Sequence, residues 1–225
     1  NLLAVPSISE IIMVELDPAM IQLAKTNKTL LQYNHRSLFH PKVRLIVDDA
    51  FRWVQGTQEK FDLIIVDFPA PKNLTLSRLF SAEFYSRMFQ LVNPNGFVAI
   101  QAGPSYSYED PTFNTLSEVT TCIKKTINSI GHPAYPYVTP RDHEAFVLSP
   151  ADRNFDMKQF AKTVGIYGQT GIGMLCTYDA DWKEPSVDVN TLSTLRLSTY
   201  MLDWFKKAGK PFFYYHGSHA IFLPD

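Results

Sequence analysis

The sequence predicts an α/β protein built on a mostly parallel sheet with helices on both faces. Two observations point there. The short runs "EIIMVEL", "VRLIVDDA" and "FDLIIVDF" are almost continuously apolar, as strands covered on both faces are, and each ends in acid. Between and after them lie segments whose apolar residues recur at helical spacing, so strand and helix alternate. In sheets of this class ligands sit beyond the carboxyl ends of the strands. Glu15, Asp17, Asp48, Asp49 and Asp67 occupy those ends and are the natural site candidates.

The elements follow in order. After the first strand, "DPAMIQLAKTNKTLLQYN" reads as one helix, with Asp17 as N-cap and Pro18 at the first helical position. "VRLIVDDA" runs into the short helix "AFRWVQ", and "FDLIIVDF" into a Pro-rich loop. Ser81 opens the helix "SAEFYSRMFQLV", which "NPNG" ends before the strand "FVAIQAG". Residues 111–130 read as a further helix closed by Gly131, and "AYPYVTP" with "EAFVLSP" as a terminal strand pair. Residues 1–150 thus form the expected α/β domain. Residues 151–225, with the glycine-rich "YGQTGIGM" and an amphipathic helix from Thr191 to Gly209, are too few for an independent core and are expected to pack on it as an extension.

The bulk numbers exclude several classes. The chain has 225 residues, 45% of them hydrophobic, and a formal net charge of -1 with no basic stripe, so nucleic acid is not expected as a partner. Cys122 and Cys176 stand alone, without metal-ligand spacing, and read as buried reduced thiols; no metal is expected. His216 and His219 read as terminal surface or turn residues, and "FFYYH" as a buried strand or lid. No apolar run of membrane-spanning length and no signal peptide is present, and a cytoplasmic location is expected. The chain opens on Asn1 and has its first glycine at Gly56, which suggests a fragment whose upstream part is not seen.

Each acid has a plain alternative to a functional role. Glu15 is placed to accept from ribose hydroxyls, or is a solvated strand-end charge; Asp17 by itself reads as a helix cap. Asp48 and Asp49 point to opposite faces of an extended chain, so one suits a ligand's amino group and the other solvent or a helix N-terminus. Asp67 ends the most apolar strand, where a carboxylate between apolar walls finds a partner or rises in pKa and so suits a base or a cation binder. Its plain alternative is a turn acid of the Pro-rich loop. Gln101, at the end of "FVAIQ", has as its plain alternative an amide that satisfies backbone.

The order "VELDPAMIQLAK", "HPKVRLIVDDAFRWV", "FDLIIVDFPAP", "SRLFSAEFYSRMFQLVNPNGFVAIQ" resembles the polyamine aminopropyltransferases, the spermidine and spermine synthases, over roughly residues 10–149. The "DFPAP" loop and the tail "EPSVDVNTL" look most like the bacterial spermidine synthase-like branch, whose members often carry an N-terminal membrane region. The resemblance implies a Rossmann-like, class I methyltransferase-type fold, here lacking the first strand and its glycine-rich loop. It also implies that decarboxylated S-adenosylmethionine donates an aminopropyl group to a small-molecule amine. Asp67 matches the proton acceptor, Glu15 the ribose-binding acid, and Asp49 with Ala50 the pair that holds adenine. Gln101 matches an amine-site position. The family's second loop acid is Ala70 here, and its late tyrosine falls at Thr139, with Tyr137 as a shifted substitute. Those departures put activity of the chain as given in question. The resemblance leaves open a homodimer and an upstream membrane region, with the cytoplasmic face as the location in that case. The alternatives are an S-adenosylmethionine-dependent methyltransferase and a catalytically degenerate, non-enzymatic domain.

Overall fold

The computed structural model describes residues 2–110, 113–139, 144–164 and 181–209. The glycine-rich "YGQTGIGM", Cys176, His216, His219 and "FFYYH" lie outside the described residues. The chain divides into two compact units, residues 1–57 and 58–225.

The first unit carries strands β1 (Ile11–Glu15) and β2 (Val43–Val47), paired in parallel with Glu15 opposite Val47. Asp17 caps the following helix, its Oδ1 accepting from the Ala19 N–H at 2.8 Å, with Pro18 at the first helical position. The single helix expected here is two. Asn27 stops α1 (Pro18–Thr26) and restarts α2 (Lys28–Tyr33): its extended backbone ends the first helix, and its Oδ1 accepts from the Leu30 N–H at 3.1 Å to start the second. After β2, Asp49 caps α3 (Ala50–Gly56).

The second unit holds a four-stranded sheet in the order β3-β4-β6-β5: β3 (Phe61–Val66), β4 (Val92–Pro104), β6 (Glu144–Pro150) and β5 (Tyr135–Thr139). β3 and β4 are parallel, whereas β4-β6 and β6-β5 are antiparallel. The expected terminal strand pair is the β5-β6 hairpin, and its antiparallel fit onto β4 makes this sheet mixed. Alternation gives the sheet two unlike faces. Val98, Ile100, Val138 and Val147 are fully buried on one. They meet α5 (Ala82–Phe89) and α6 (Glu118–Ser129), and α8 (Arg196–Lys207) packs in turn on α6. Phe84, Ile123, Ile127, Leu197 and Met201 complete this core, each such side chain contributing about 1.5–3 kcal/mol on burial. On the other face α7 (Met157–Val164) packs, through Met157 and Phe160, near Tyr135, Tyr137 and Leu148. Among the described residues of this unit, no helix covers the opposite end, near the carboxyl ends of β3 and β4.

Strand β4 starts at Val92 and so takes in the "NPNG" expected to precede it, and two helix starts depart from the sequence pattern for identifiable reasons. The helix expected over 111–130 begins at Glu118, because Thr115 and Leu116 are held in β-bridges to Lys183 and Tyr106 and Ser117 is the N-cap. The helix expected from Thr191 begins at Arg196. Residues 191–194 form a hydrogen-bonded turn, and Leu195 is left-handed at φ 45°. Asn190 organises this corner. It is fully buried; its Oδ1 accepts from the Ser77 hydroxyl and from the Leu197 N–H, both at 3.1 Å, and its Nδ2 donates to the Ser77 carbonyl at 2.8 Å. Leu195 cannot cap α8 by its side chain, so Asn190 supplies that acceptor from outside the helix.

Cys122 is buried in α6, its thiol donating to the Asp188 carbonyl at 3.3 Å, and burial pushes its pKa up to about 12. Among the described residues, no helix is long and apolar enough to cross a membrane.

Candidate functional site

The candidate residues fall into two groups, one in each unit. In the first unit, Glu15 ends β1 and Asp48, Asp49 and Ala50 follow β2, so the parallel pairing brings them to neighbouring strand ends; the Asp48 N–H donates to the Glu15 carbonyl at 3.1 Å. The Glu15 side chain turns back so that its Oε1 accepts from the Asp17 N–H at 2.9 Å. Its Oε2 has no donor among the described residues. Asp49 accepts from the Phe51 N–H at 2.8 Å as the N-cap of α3, and Ala50 is the first residue of that helix. The Asp48 Oδ1 accepts from its neighbour's N–H and pairs with Arg52, whose hydrogen bond holds the Asp48 carboxyl below the usual range. The two adjacent acids thus have different partners, Asp49 the Phe51 N–H and Asp48 the Arg52 side chain.

In the second unit, Asp67 follows Val66 at the end of β3. Val66 is only 3% exposed and points into the helical core, so alternation turns Asp67 to the open face. Phe68 re-enters the core, its ring 5.9 Å from those of both Phe80 and Phe84. Asp67 is therefore pinned between two anchored neighbours, while the carboxylate itself is exposed. The apolar strand does not bury it as its sequence suggests, because β3 is an edge strand whose Leu63 and Ile65 are 45% and 52% exposed.

On that open face lies a cleft of about 520 Å³ lined by Asp67, Gln101, Tyr137 and Glu144. The polar residues come from the end of β3 and from β4, β5 and β6. Ile65, Ala99 and Phe146 supply apolar wall. Tyr137 stacks on Phe146 at 5.4 Å with the rings 17° apart, as their pairing across β5 and β6 dictates. Gln101 stands opposite Phe146 and its Nε2 donates to the Glu144 Oε2 at 3.2 Å.

Three sequence candidates, Asp67, Gln101 and Tyr137, thus converge on one cleft. Glu144 was not among them, although it is 6% exposed and faces the same space. Its only signal is an acid opening an otherwise apolar strand, "EAFVLSP", which a search confined to carboxyl strand ends passes over: β6 is antiparallel, so its amino end lies at the carboxyl end of β4. Ala70 does not line the cleft. Among the described residues, no group of three or more His, Cys, Asp or Glu side chains is disposed to hold a metal ion.

Comparison with known proteins gives one family. The family model for the spermine/spermidine synthase domain matches residues 1–140. A polyamine aminopropyltransferase of Mycobacterium tuberculosis is 39% identical over 140 residues, covering 61% of this chain and 25% of its own length. Polyamine aminopropyltransferase 2 of Aquifex aeolicus is 30% identical over 190 residues, covering 81% of this chain and 36% of its own. The chain therefore spans only a quarter to a third or so of these relatives. Among solved structures, spermidine synthase from Thermotoga maritima superposes with a TM-score of 0.51 at 18% identity, over 81% of this chain and 60% of that one. A probable spermidine synthase from Corynebacterium glutamicum gives 0.50 at 16% identity, over 80% and 64%. These two likenesses concern the fold, which is that of the spermidine synthases. With the family model matched over more than half of its length, the chain belongs to the spermine/spermidine synthase family.

Proposed function

We propose that the chain carries out aminopropyl transfer from decarboxylated S-adenosylmethionine to a small-molecule amine, with Asp67 as the proton acceptor. The observation that carries this reading is the cleft shared by Asp67, Gln101 and Tyr137, whose mixture of one exposed carboxylate, neutral polar groups and apolar wall suits an alkylamine. An alkylamine of pKa near 10 is mostly protonated at neutral pH and has no lone pair to attack with. The Asp67 carboxylate takes that proton. The freed nitrogen then forms a bond to the aminopropyl carbon next to the sulfonium, the carbon–sulfur bond breaks, and its electron pair leaves with methylthioadenosine.

For the donor, Glu15 offers Oε2 to the ribose hydroxyls, and Asp49 with Ala50 holds the adenine from the neighbouring strand end. Residues 151–225 serve as an extension whose described helices α7 and α8 support the sheet from its two faces.

The competing methyltransferase reading shares Glu15 but differs in product. Incubating the chain with diamine and, separately, decarboxylated and intact S-adenosylmethionine distinguishes them by mass spectrometry. Methylthioadenosine from the decarboxylated donor is expected; S-adenosylhomocysteine from the intact one would overturn the reading.

A further inference from the structure

The geometry points to Glu144 as the anchor for the second ammonium of the acceptor amine, in place of an acid at position 70. The inference rests on the aminopropyltransferase reading for the identity of the ligand as an amine. Ala70 offers neither charge nor acceptor and stands outside the lining of the cleft, whereas Glu144 lies within it.

The sheet places the two carboxylates as the ends of one binding trough. Asp67 extends β3 and Glu144 opens β6, with β4 between them, so they are two strand spacings apart, roughly 10 Å across the sheet. Between them the floor is Ala99 and Gln101 of β4, with Ile65 on one side and Phe146 on the other. Methylenes suit the apolar part of that floor and a cation suits each end. Gln101 fixes the far end: by donating Nε2 to the Glu144 Oε2 it holds the carboxylate toward the cleft, and its own Oε1 remains an acceptor for an ammonium N–H. Glu144 itself cannot wander, because its backbone pairs with Thr139 on one side and Pro104 on the other. Glu144 is thus a specificity-determining residue, and Gln101 positions it.

The test is isothermal titration of the 225-residue chain with 1,4-diaminobutane and with butylamine, which differ only in the second nitrogen. The wild-type chain is expected to prefer the diamine by about ten- to a hundredfold, the worth of one charge-assisted contact. E144Q should erase that preference. Equal binding of diamine and monoamine by the wild-type chain, or an undiminished preference in E144Q, would overturn the inference. Should E144Q lose its circular dichroism signature, E144D decides: a carboxylate withdrawn by one methylene should move the optimum to 1,5-diaminopentane, and an unmoved optimum counts against the inference. The two levels separate cleanly. Methylthioadenosine formation with an unchanged E144Q preference leaves the transfer reading standing and removes Glu144 from it; a Glu144-dependent diamine preference without methylthioadenosine does the reverse.

Discussion

Replacing Asn190 by alanine should destabilise the second unit more than any surface change, and the cost can be worked from its contacts. The side chain makes three hydrogen bonds in a fully buried corner, accepting from Ser77 Oγ and the Leu197 N–H and donating to the Ser77 carbonyl. The backbone bonds of Asn190, to Thr126 Oγ1 and from the Ala82 N–H, survive the change. Ser77 Oγ keeps the Leu195 carbonyl at 3.3 Å. Two buried backbone groups, the Leu197 N–H and the Ser77 carbonyl, lose their Asn190 partner at about 1–3 kcal/mol each, for a total near 4 kcal/mol. For a unit of this size that lowers Tm by about 8–16 °C. Differential scanning calorimetry of N190A against an exposed control such as S193A reads the difference. A drop below about 2 °C would show that α8 does not depend on Asn190 for its cap.

The remaining predictions probe other parts of the fold. Gly96→Ala should cost about 1–3 kcal/mol, because a Cβ there would lie 2.7 Å from Val92 Cγ1 and 2.8 Å from the Asp62 carbonyl, and the carbonyl belongs to a paired strand; urea unfolding measures it. Tyr85→Phe should leave stability unchanged or raise it by up to about 1 kcal/mol, since the buried Tyr85 hydroxyl has no partner among the described residues and burial pushes its pKa well up. A clear loss in thermal melting would reveal a partner. His132 stacks on Phe89 at 3.9 Å, and burial, then the nearby Arg153, lowers its pKa below the usual 6.5. A depressed histidine pKa means the unfolded chain binds the proton more readily, so this contribution is complete above pH 6.5 and declines as pH falls below it. H132F should flatten the fall in Tm between pH 7 and 5; an identical fall in both proteins would exclude His132 as its source.

The sequence was most legible where local chemistry decides. Asp17 and Ser81 are caps because a short acceptor at an extended residue before a helix has few other uses, and both accept from N–H groups of the helices they precede. Legibility failed where distant partners decide. Nothing local in "TNKT" says that Asn27 will break a helix, and nothing in "VNTLSTLR" says that Asn190 will reach Ser77. The cleft shows the same division. Asp67 and Gln101 are visible because the apolar pattern of a strand ends at each, and Tyr137 only through the resemblance to the family. Glu144 is not, because its place beside Gln101 is a product of the antiparallel register of β6 on β4. The exposure of Asp67 is likewise set by β3 standing at a sheet edge, which apolar residue counts cannot convey.

The central claim is that Asp67 accepts the proton of an attacking amine. Its most direct test is the rate of methylthioadenosine release from decarboxylated S-adenosylmethionine and 1,4-diaminobutane, compared between the wild-type chain and D67N. Asparagine keeps the size of the side chain in an exposed position and removes only its basicity, so folding should be unaffected and the rate should fall by about 10²–10⁴-fold. A D67N rate within threefold of wild type, in a protein of unchanged Tm, would contradict the account.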